Sequence, residues 1–195
     1  MSLLQTFIEQ AKTPTGKVGA WMLRIMNRAH QGMYAWFMRQ GAINNGDCVL
    51  DIGCGGGRML QILSNLNPNG IIYGIDISEQ AVKESLRLNR GNERIIVTKA
   101  CASHIPYQDH FFDTITAIQT HYFWPSLEQA MKEIKRVLKN GGKLIVMAEH
   151  YKMQTHMEVY QTPDAVKQLL EQLGFRTVYI TEKASKGWLC ITAIK

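Results

Sequence analysis

The sequence is poor in cysteine, and its few cysteines do not cluster. No two of them form a Cys-x-x-Cys pair, so we expect neither a disulfide framework nor a zinc site; they are Cys48, Cys54, Cys101 and Cys190. No apolar run reaches the length of about eighteen residues that a membrane-spanning helix requires. The amino terminus has no basic start followed by an apolar run, so we expect no secretory signal and predict cytoplasmic residence.

Acidic residues are fewer than basic ones. Asp and Glu total 16 against 22 for Lys and Arg, which gives a formal net charge of +6. The basic residues are spread along the chain without forming a long run, which is typical of a solvated surface. The excess is compatible with an anionic substrate and does not by itself indicate a nucleic-acid partner.

Apolar blocks alternate with helical patterns along the chain, and this alternation is typical of an α/β fold with a mostly parallel sheet. The length of 195 residues fits one domain, with a helical segment over 1–40 and a core over 45–195. A short polar turn joins the last two strands, so we expect them to be antiparallel. The seven predicted strands are 48–52, 71–77, 94–99, 112–119, 144–149, 175–181 and 188–194.

Helix boundaries are marked by recognisable residues. Apolar residues at spacings of three and four predict one helix from Val18 to Phe37. The pair Gly141-Gly142 is expected to turn the chain into the fifth strand. Later helices are expected to begin at N-cap residues, with Pro163 in the first turn of the last one; these caps are Ser78, Ser126 and Thr162.

A glycine-rich turn, Asp51-Ile-Gly53-Cys-Gly55-Gly-Gly57-Arg58, joins the first strand to the next helix. Glycines at this position let the backbone turn sharply and approach a ligand closely. A dinucleotide-binding turn would place a small residue where Arg58 stands. The alternative pattern, D-x-G-x-G, suits S-adenosylmethionine, because an acid suits its cationic part and backbone N–H groups suit its carboxylate. Asp76 ends the second strand and can accept both ribose hydroxyls in either interpretation.

These residues resemble the class I, Rossmann-like methyltransferases that use S-adenosylmethionine. VLDIGCGGG resembles their first motif and YGIDIS their second. KACASHIPYQDHFFDTITA is similar to their third and fourth strands with the adenine-edge loop between, and EIKRVLKNGGKLIV to the helix and turn before strand five. The resemblance covers residues 45–195 and implies a seven-stranded sheet of order 3-2-1-4-5-7-6, with strand seven antiparallel and helices on both faces.

The resemblance also implies a cofactor-binding set. At position 101 many members carry an acid that binds the adenine amino group, whereas the thiol of Cys101 is a poor acceptor, so Ser103 or a backbone carbonyl would take that role. The implied set is Asp51, Gly53, Cys54 and Gly55 at the methionine end, Asp76 at the ribose, Ile77, Cys101 and Ala102 around the adenine, and Gln119 over the cofactor.

The implied chemistry is direct in-line displacement, which alignment can largely catalyse. A histidine can act as base if the acceptor arrives protonated. The segment GKVGAWMLRIMNRAH resembles the lid helix of a subgroup of small bacterial methyltransferases, and His30 and Tyr34 share one face of it. The candidate catalytic residues are His121, His150 and Tyr122, and the candidate substrate-binding residues are His30, Tyr34, Trp124, Glu149 and Tyr151; most of these side chains could equally serve packing.

The acceptor is expected to be a small molecule methylated on O, N or S, with no metal required. Strand four ends in Gln119-Thr-His-Tyr122 instead of the Asn/Asp-Pro-Pro-aromatic sequence of nucleic-acid amino methyltransferases, and no Pro-Cys pair offers a nucleophile for cytosine. Two alternatives remain open at this point. One is a non-catalytic S-adenosylmethionine-binding module, and the other is an NAD(P)-dependent oxidoreductase.

Overall fold

The computed structural model describes residues 9–10, 12–40 and 43–195. The described residues form one sheet of order β3-β2-β1-β4-β5-β7-β6, in which β7 is antiparallel to both β5 and β6. This order confirms the predicted fold class. The strands are β1 (Cys48–Ile52), β2 (Ile71–Asp76), β3 (Ile95–Lys99), β4 (Phe112–Ile118), β5 (Leu138–Glu149), β6 (Arg176–Lys183) and β7 (Trp188–Ile194).

Seven helices accompany the strands in the described ranges. They are α1 (Gly16–Ala29), α2 (Gln31–Met38), α3 (Arg58–Leu66), α4 (Glu79–Leu88), α5 (Leu127–Val137), α6 (His150–His156) and α7 (Pro163–Gln172). Within this part of the chain, none is long and apolar enough to cross a membrane.

The chain divides into two compact units. The first comprises residues 1–47 and 53–101, and the second comprises residues 48–52 and 102–195. The glycine-rich turn and Asp76 therefore belong to the first unit, whereas Asp51 and the segments that follow β4 and β5 belong to the second.

In the first unit, α3 packs on β2 through a glycine. A Cβ at Gly74 would lie 2.7 Å from Leu60 Cδ1, closer than real side chains approach, and 3.1 Å from Cys54 Sγ, which is a tight contact. Leu60, Ile72 and Ile75 are fully buried beside it. The absence of a side chain at Gly74 thus lets the helix, and the turn that starts it, lie close to the strand.

In the second unit, the middle parts of β4 and β5 are buried and mostly apolar. The five residues from Leu144 to Ala148 in β5 have no solvent exposure, and neither do Ile115 and Ala117 in β4. Continuous apolar strands of this kind are typical of sheets covered on both faces. This rigid pair of strands carries the segments at its carboxyl ends that supply the candidate catalytic residues.

The amino-terminal helix differs from the prediction in two ways. The predicted helix from Val18 to Phe37 is interrupted at His30, which separates α1 from α2. Val18 and Ile25, which were expected on the buried stripe, are 55% and 41% exposed, whereas Leu23 is 3% exposed. The close approach of Gly19 to Pro14 explains why α1 buries a different face from the one predicted, because it turns the side of the helix with Gly19 and Leu23 inward.

The predicted N-caps are confirmed. The hydroxyl oxygens of Ser78, Ser126 and Thr162 accept hydrogen bonds from the backbone N–H three residues later, at 3.1, 3.2 and 3.2 Å. The expected turn at Gly141-Gly142 is wrong, since both residues lie inside β5. There the register shifts between the pairs Phe112–Leu138 and Thr114–Lys143, so the extra residues form a bulge.

Candidate functional site

The glycine-rich turn of the first unit has a backbone that only glycine adopts readily. Gly53, Gly55 and Gly57 have φ angles of 73°, 51° and 78°. A Cβ at Gly57 would also lie 2.4 Å from Ser85 Oγ in α4. The N–H groups of Gly53 and Cys54 both donate to the carbonyl of Ile75, at 2.8 and 3.1 Å, which ties the turn to β2.

Asp76 is anchored by backbone donors at the end of β2. Its Oδ2 accepts from the N–H of Gly55 and its Oδ1 from the N–H of Ser78, both at 2.9 Å. Burial raises the pKa of this carboxyl, although the two hydrogen bonds act in the opposite direction. Each oxygen keeps a further lone pair, so the fixed carboxylate can still accept the two hydroxyls of a ribose.

Three N–H groups of the turn donate hydrogen bonds within the protein. Gly53 and Cys54 donate to Ile75, and Gly55 donates to Asp76. These bonds hold the turn against the end of β2. The Cys54 side chain is buried against Gly74.

The helix α1 covers the turn. Leu23 Cδ2 lies 3.6 Å from the position that a Cβ at Gly55 would occupy, and Asn27 Nδ2 lies 2.6 Å from that of Gly56. The hydroxyl of Ser78 donates to the carbonyl of Pro14 at 2.5 Å, so the segment before α1 is fastened at the end of β2. The predicted lid is thus in contact with the turn in this structure.

Ile77 is 53% exposed although its side chain is apolar. It lines a cavity of 360 Å³ with Pro14 and Lys99. Of the residues expected at the adenine edge, Cys101 is half-buried and Ala102 is buried. An exposed apolar side chain beside a cavity is a suitable surface for an aromatic ring.

In the second unit, Asp51 lies near the carboxyl end of β1. Its side chain is 2% exposed, and its Oδ1 accepts from the hydroxyl of Thr116 in β4 at 2.7 Å. A buried carboxyl group held in this way is a fixed hydrogen-bond acceptor, and it suits the cationic part of a ligand.

Gln119, directly after β4, has an unusual backbone conformation and a buried side-chain amide. Its φ is 60°, which is rare for a residue with a side chain, and its backbone N–H donates to Met147 in β5 at 2.8 Å. Its Oε1 accepts from the hydroxyl of Tyr122 at 2.7 Å. The buried Nε2 has no hydrogen-bond partner among the residues that the structure describes. An orphaned buried donor at a strained residue points to a ligand that supplies an acceptor.

His121 and Tyr122 follow in a buried 3₁₀ turn. His121 is fully buried, and within the described ranges neither of its ring nitrogens has a hydrogen-bond partner. Burial lowers the pKa of His121 to about 4. Burial also raises the pKa of Tyr122 far above its ordinary value, with Glu149 adding to the effect. Both side chains are therefore neutral at physiological pH.

The carboxyl end of β5 leads into α6 and carries the charged groups. The ring nitrogen Nε2 of His150 lies 3.2 Å from Glu182 Oε1, and Lys152 Nζ lies 2.9 Å from Glu149 Oε2. The Lys152 ammonium is also 6.0 Å from the ring centroid of Tyr122. His150 is about one-third exposed, so a ligand can reach an imidazole that a carboxylate orients.

An aromatic cluster brings several predicted residues together in the second unit. The His121 ring centroid lies 5.4 Å from that of Tyr122 and 6.4 Å from that of Trp124. His156 stacks on Tyr122 with centroids 5.7 Å apart. Tyr151, by contrast, is 58% exposed to solvent.

His30 and Tyr34 make an edge contact at 6.1 Å in the first unit. Lys152, His156 and Glu182 were missed from the sequence. Of the contacts that these three residues make, the sequence indicates only the Glu149–Lys152 ion pair, because the two residues are three positions apart. Within the described part of the chain, no three potential ligands gather into a metal site.

Comparison with known proteins agrees with this geometry. The family model described as a methyltransferase domain matches residues 50–146. The chain is 32% identical over 107 residues to methyltransferase GfsG of Streptomyces halstedii and spans 38% of that protein's length. It is 25% identical over 182 residues to a demethylmenaquinone methyltransferase of Lactobacillus johnsonii, covering 75% of each protein.

A solved structure has the same fold. It is an S-adenosylmethionine-dependent methyltransferase from Aquifex aeolicus, with a TM-score of 0.75 at 21% identity, over 90% of this chain and 97% of the other. The strand order, the family match and these relatives agree, and they disfavour the oxidoreductase. The chain belongs to the class I methyltransferases, enzymes that take their methyl group from S-adenosylmethionine.

Proposed function

We propose that this chain methylates an O, N or S atom of a small molecule, with His150 as the base that removes the acceptor's proton. The observation that carries this role is the contact of His150 with Glu182 at 3.2 Å. A carboxylate beside an imidazole fixes the orientation of the ring. His150 is also partly exposed, as a base that meets an acceptor must be.

The other two candidates are poorer bases. His121 is fully buried, and a pKa of about 4 makes its imidazole a weak acceptor of protons at physiological pH. Tyr122 would have to ionise in a buried position where its pKa is raised. We propose instead that the hydroxyl of Tyr122 positions Gln119, and that the rings of His121 and Trp124 help to exclude water.

S-adenosylmethionine, when bound, supplies a sulfonium methyl group that is open to in-line displacement. We propose that Gln119 donates from its orphaned Nε2 to the carboxylate at the methionine end of the cofactor. The acid of Asp51 would offset the cofactor's positive charge, and the anchored carboxylate of Asp76 would accept the ribose hydroxyls. The remaining cofactor residues would be Gly53, Cys54, Gly55, Ile77, Cys101 and Ala102.

The charges around Tyr122 indicate the class of acceptor. Lys152 already places an ammonium 6.0 Å from the Tyr122 ring, where an aromatic cage would hold a cationic substrate. A neutral or anionic acceptor suits this arrangement better than a cationic amine. The relative named for demethylmenaquinone supports a small acceptor molecule. We propose that His30, Tyr34, Trp124, Glu149 and Tyr151 contribute to acceptor binding.

A labelled-methyl assay against a panel of phenols, carboxylates, thiols and amines tests the proposal. We expect transfer to a neutral or anionic acceptor and a rate that falls about a hundredfold in His150→Gln. Glu182→Gln should lower the rate less, and His104→Gln, a change of an exposed histidine, should not alter it.

Two results would contradict parts of the proposal. Tight cofactor binding without transfer to any acceptor of a broad panel would favour the non-catalytic module. A full rate in His150→Gln, with transfer intact, would remove His150 from the role of base and leave alignment as the source of catalysis.

A further inference from the structure

A second concave surface lies in the second unit, and basic side chains dominate it. We name it the basic depression, a cavity of 320 Å³ lined by Asp109, His110, Lys132, Lys135, Arg136, Leu173 and Lys195. His110 comes just before β4, and Arg136 comes just before β5. The basic depression therefore lies at the amino-terminal ends of strands whose carboxyl ends carry Gln119 and His150.

Only part of this positive charge is neutralised by neighbouring acids. Lys132 pairs with Glu128 at 2.6 Å, and Arg136 contacts Asp109 and Glu133, both at 2.8 Å. In the part of the chain that the structure describes, Lys135 and Lys195 form no ion pair with a carboxylate. Two positive charges in the basic depression are thus left without an acidic partner.

The contacts of these two ammonium groups are with neutral atoms. Lys195 Nζ donates to the carbonyl of Leu138 at 2.6 Å and contacts Nδ1 of His110 at 3.2 Å. Lys135 Nζ donates to the carbonyl of Leu173, at the end of α7, at 2.5 Å. A helix carboxyl end contributes roughly half a negative charge. The carbonyl groups at the ends of α5 and α7 therefore offset only about one of the two positive charges.

The surroundings of Lys195 are accordingly unfavourable for a cation. Partial burial and the charge of Lys135 lower its pKa, with Asp109 opposing them only in part. His110 has a φ of 56°, a backbone conformation that residues with side chains rarely adopt. This backbone holds the His110 ring against Lys195.

We propose that the basic depression binds a phosphate group, whose charge of about −1.5 to −2 near neutral pH offsets most of the charge of Lys135 and Lys195. Lysine ammonium groups bind phosphate as point charges, and the neighbouring His110 and Lys132 can add donors. The proposal is independent of the methyl-transfer site. β4 has seven residues, so roughly 20 Å of strand separates the basic depression from the segment after β4.

Titration calorimetry with inorganic phosphate at constant ionic strength tests the proposal. We expect saturable binding that chloride does not reproduce. Lys135→Met and Lys195→Met should each weaken it about tenfold, and the double variant should abolish it. Lys186→Met is the matched control, because this exposed lysine lies just before β7 and does not line the basic depression. The affinity of this control variant for phosphate should equal that of the unchanged protein.

Two further ligands separate the sources of the phosphate group. Binding of glycerol 3-phosphate with the same dependence on Lys135 and Lys195 would indicate a soluble phosphate ester. Binding only to phosphatidylcholine vesicles that contain phosphatidic acid, with that dependence, would indicate a lipid headgroup.

Unchanged phosphate affinity in the double variant, or equal heats from chloride, would overturn the proposal. If the double variant does not fold, backbone amide NMR of the unchanged protein decides the question. Phosphate should then shift the amide signals of His110, Lys135, Leu173 and Lys195. Shifts confined to other residues would contradict the proposed site.

Discussion

The burial of His121 couples protonation to folding. Its pKa falls from 6.5 to about 4 because burial penalises the charged ring, so the unfolded chain takes up a proton before the folded one does. Stability contributed by the neutral ring is present above pH 6.5 and is lost as the pH falls towards 4. We expect a loss of roughly 3 kcal/mol over this interval. Chemical denaturation at several pH values measures it in the unchanged protein and in His121→Leu.

The difference between the two proteins isolates this residue from the acidic groups that titrate in the same range. The unchanged protein should lose more unfolding free energy on acidification than His121→Leu does. Parallel curves for the unchanged protein and His121→Leu would show that His121 is protonated in the folded state.

Tyr122 provides a second test at the scale of one hydroxyl group. Tyr122→Phe removes the hydrogen bond that fixes the Gln119 amide and leaves the buried ring in place. We expect weaker cofactor binding, by about tenfold, because the amide would no longer be held with Nε2 towards the ligand. The rate constant at saturation should remain within about threefold. A loss of several hundredfold in that rate constant would make Tyr122 the base instead of a positioning residue.

At the scale of elements, the attachment of α1 depends on Gly19. A Cβ there would lie 2.7 Å from the backbone carbonyl carbon of Pro14, which cannot yield as a flexible side chain can. Gly19→Ala should therefore displace the segment before α1, loosen the Ser78–Pro14 bond and expose the glycine turn. We expect faster amide exchange over residues 14–29 and weaker cofactor binding by calorimetry.

A matched glycine in the next helix separates this effect from helix propensity. Gly32 lies in α2 and is exposed, so Gly32→Ala should stabilise the protein by about 0.5–1 kcal/mol and leave cofactor affinity unchanged. Equal affinities for Gly19→Ala and Gly32→Ala would show that α1 does not govern the turn. Amide exchange over 14–37 should also slow when S-adenosylhomocysteine is added, if α1 acts as a lid.

Local chemistry explains which elements the sequence predicts well. The caps at Ser78, Ser126 and Thr162 depend only on residues three positions apart, and each is confirmed. The bulge around Gly141 depends on a distant segment, since the Gly141 N–H donates to the carbonyl of Lys195 at 3.0 Å, whereas the backbone stays in the α region at the break at His30. Neither carries a local signal, because apolar spacing continues across His30 and a glycine pair is typical of turns and bulges alike.

The sequence predicts some parts of the candidate site and not others, again because only local features leave a signal in it. Resemblance gave the strand order and directed attention to Asp76, whose anchoring to Gly55 accords with its strand-end position. The engagement of the turn's own N–H groups was not foreseen, because it depends on the approach of β2. The burial of His121 and the pairing of His150 with Glu182 also required tertiary structure, since two helices separate β5 from β6 in the chain.

At the scale of the whole molecule, ligand binding should increase the free energy of unfolding. A ligand that binds only the folded chain adds about 2.7 kcal/mol to the free energy of unfolding at one hundred times its dissociation constant. S-adenosylhomocysteine should give this increment in denaturant titrations, and NAD at the same concentration should give none.

Asp76→Asn should reduce the increment at a fixed ligand concentration, because an amide cannot accept at both of its ends. Asp164→Asn, at the exposed start of α7, is the control that should retain it. An equal increment from NAD would mean that the adenosine end alone is recognised, with Asp51 and Gln119 taking no part in selecting the methyl donor.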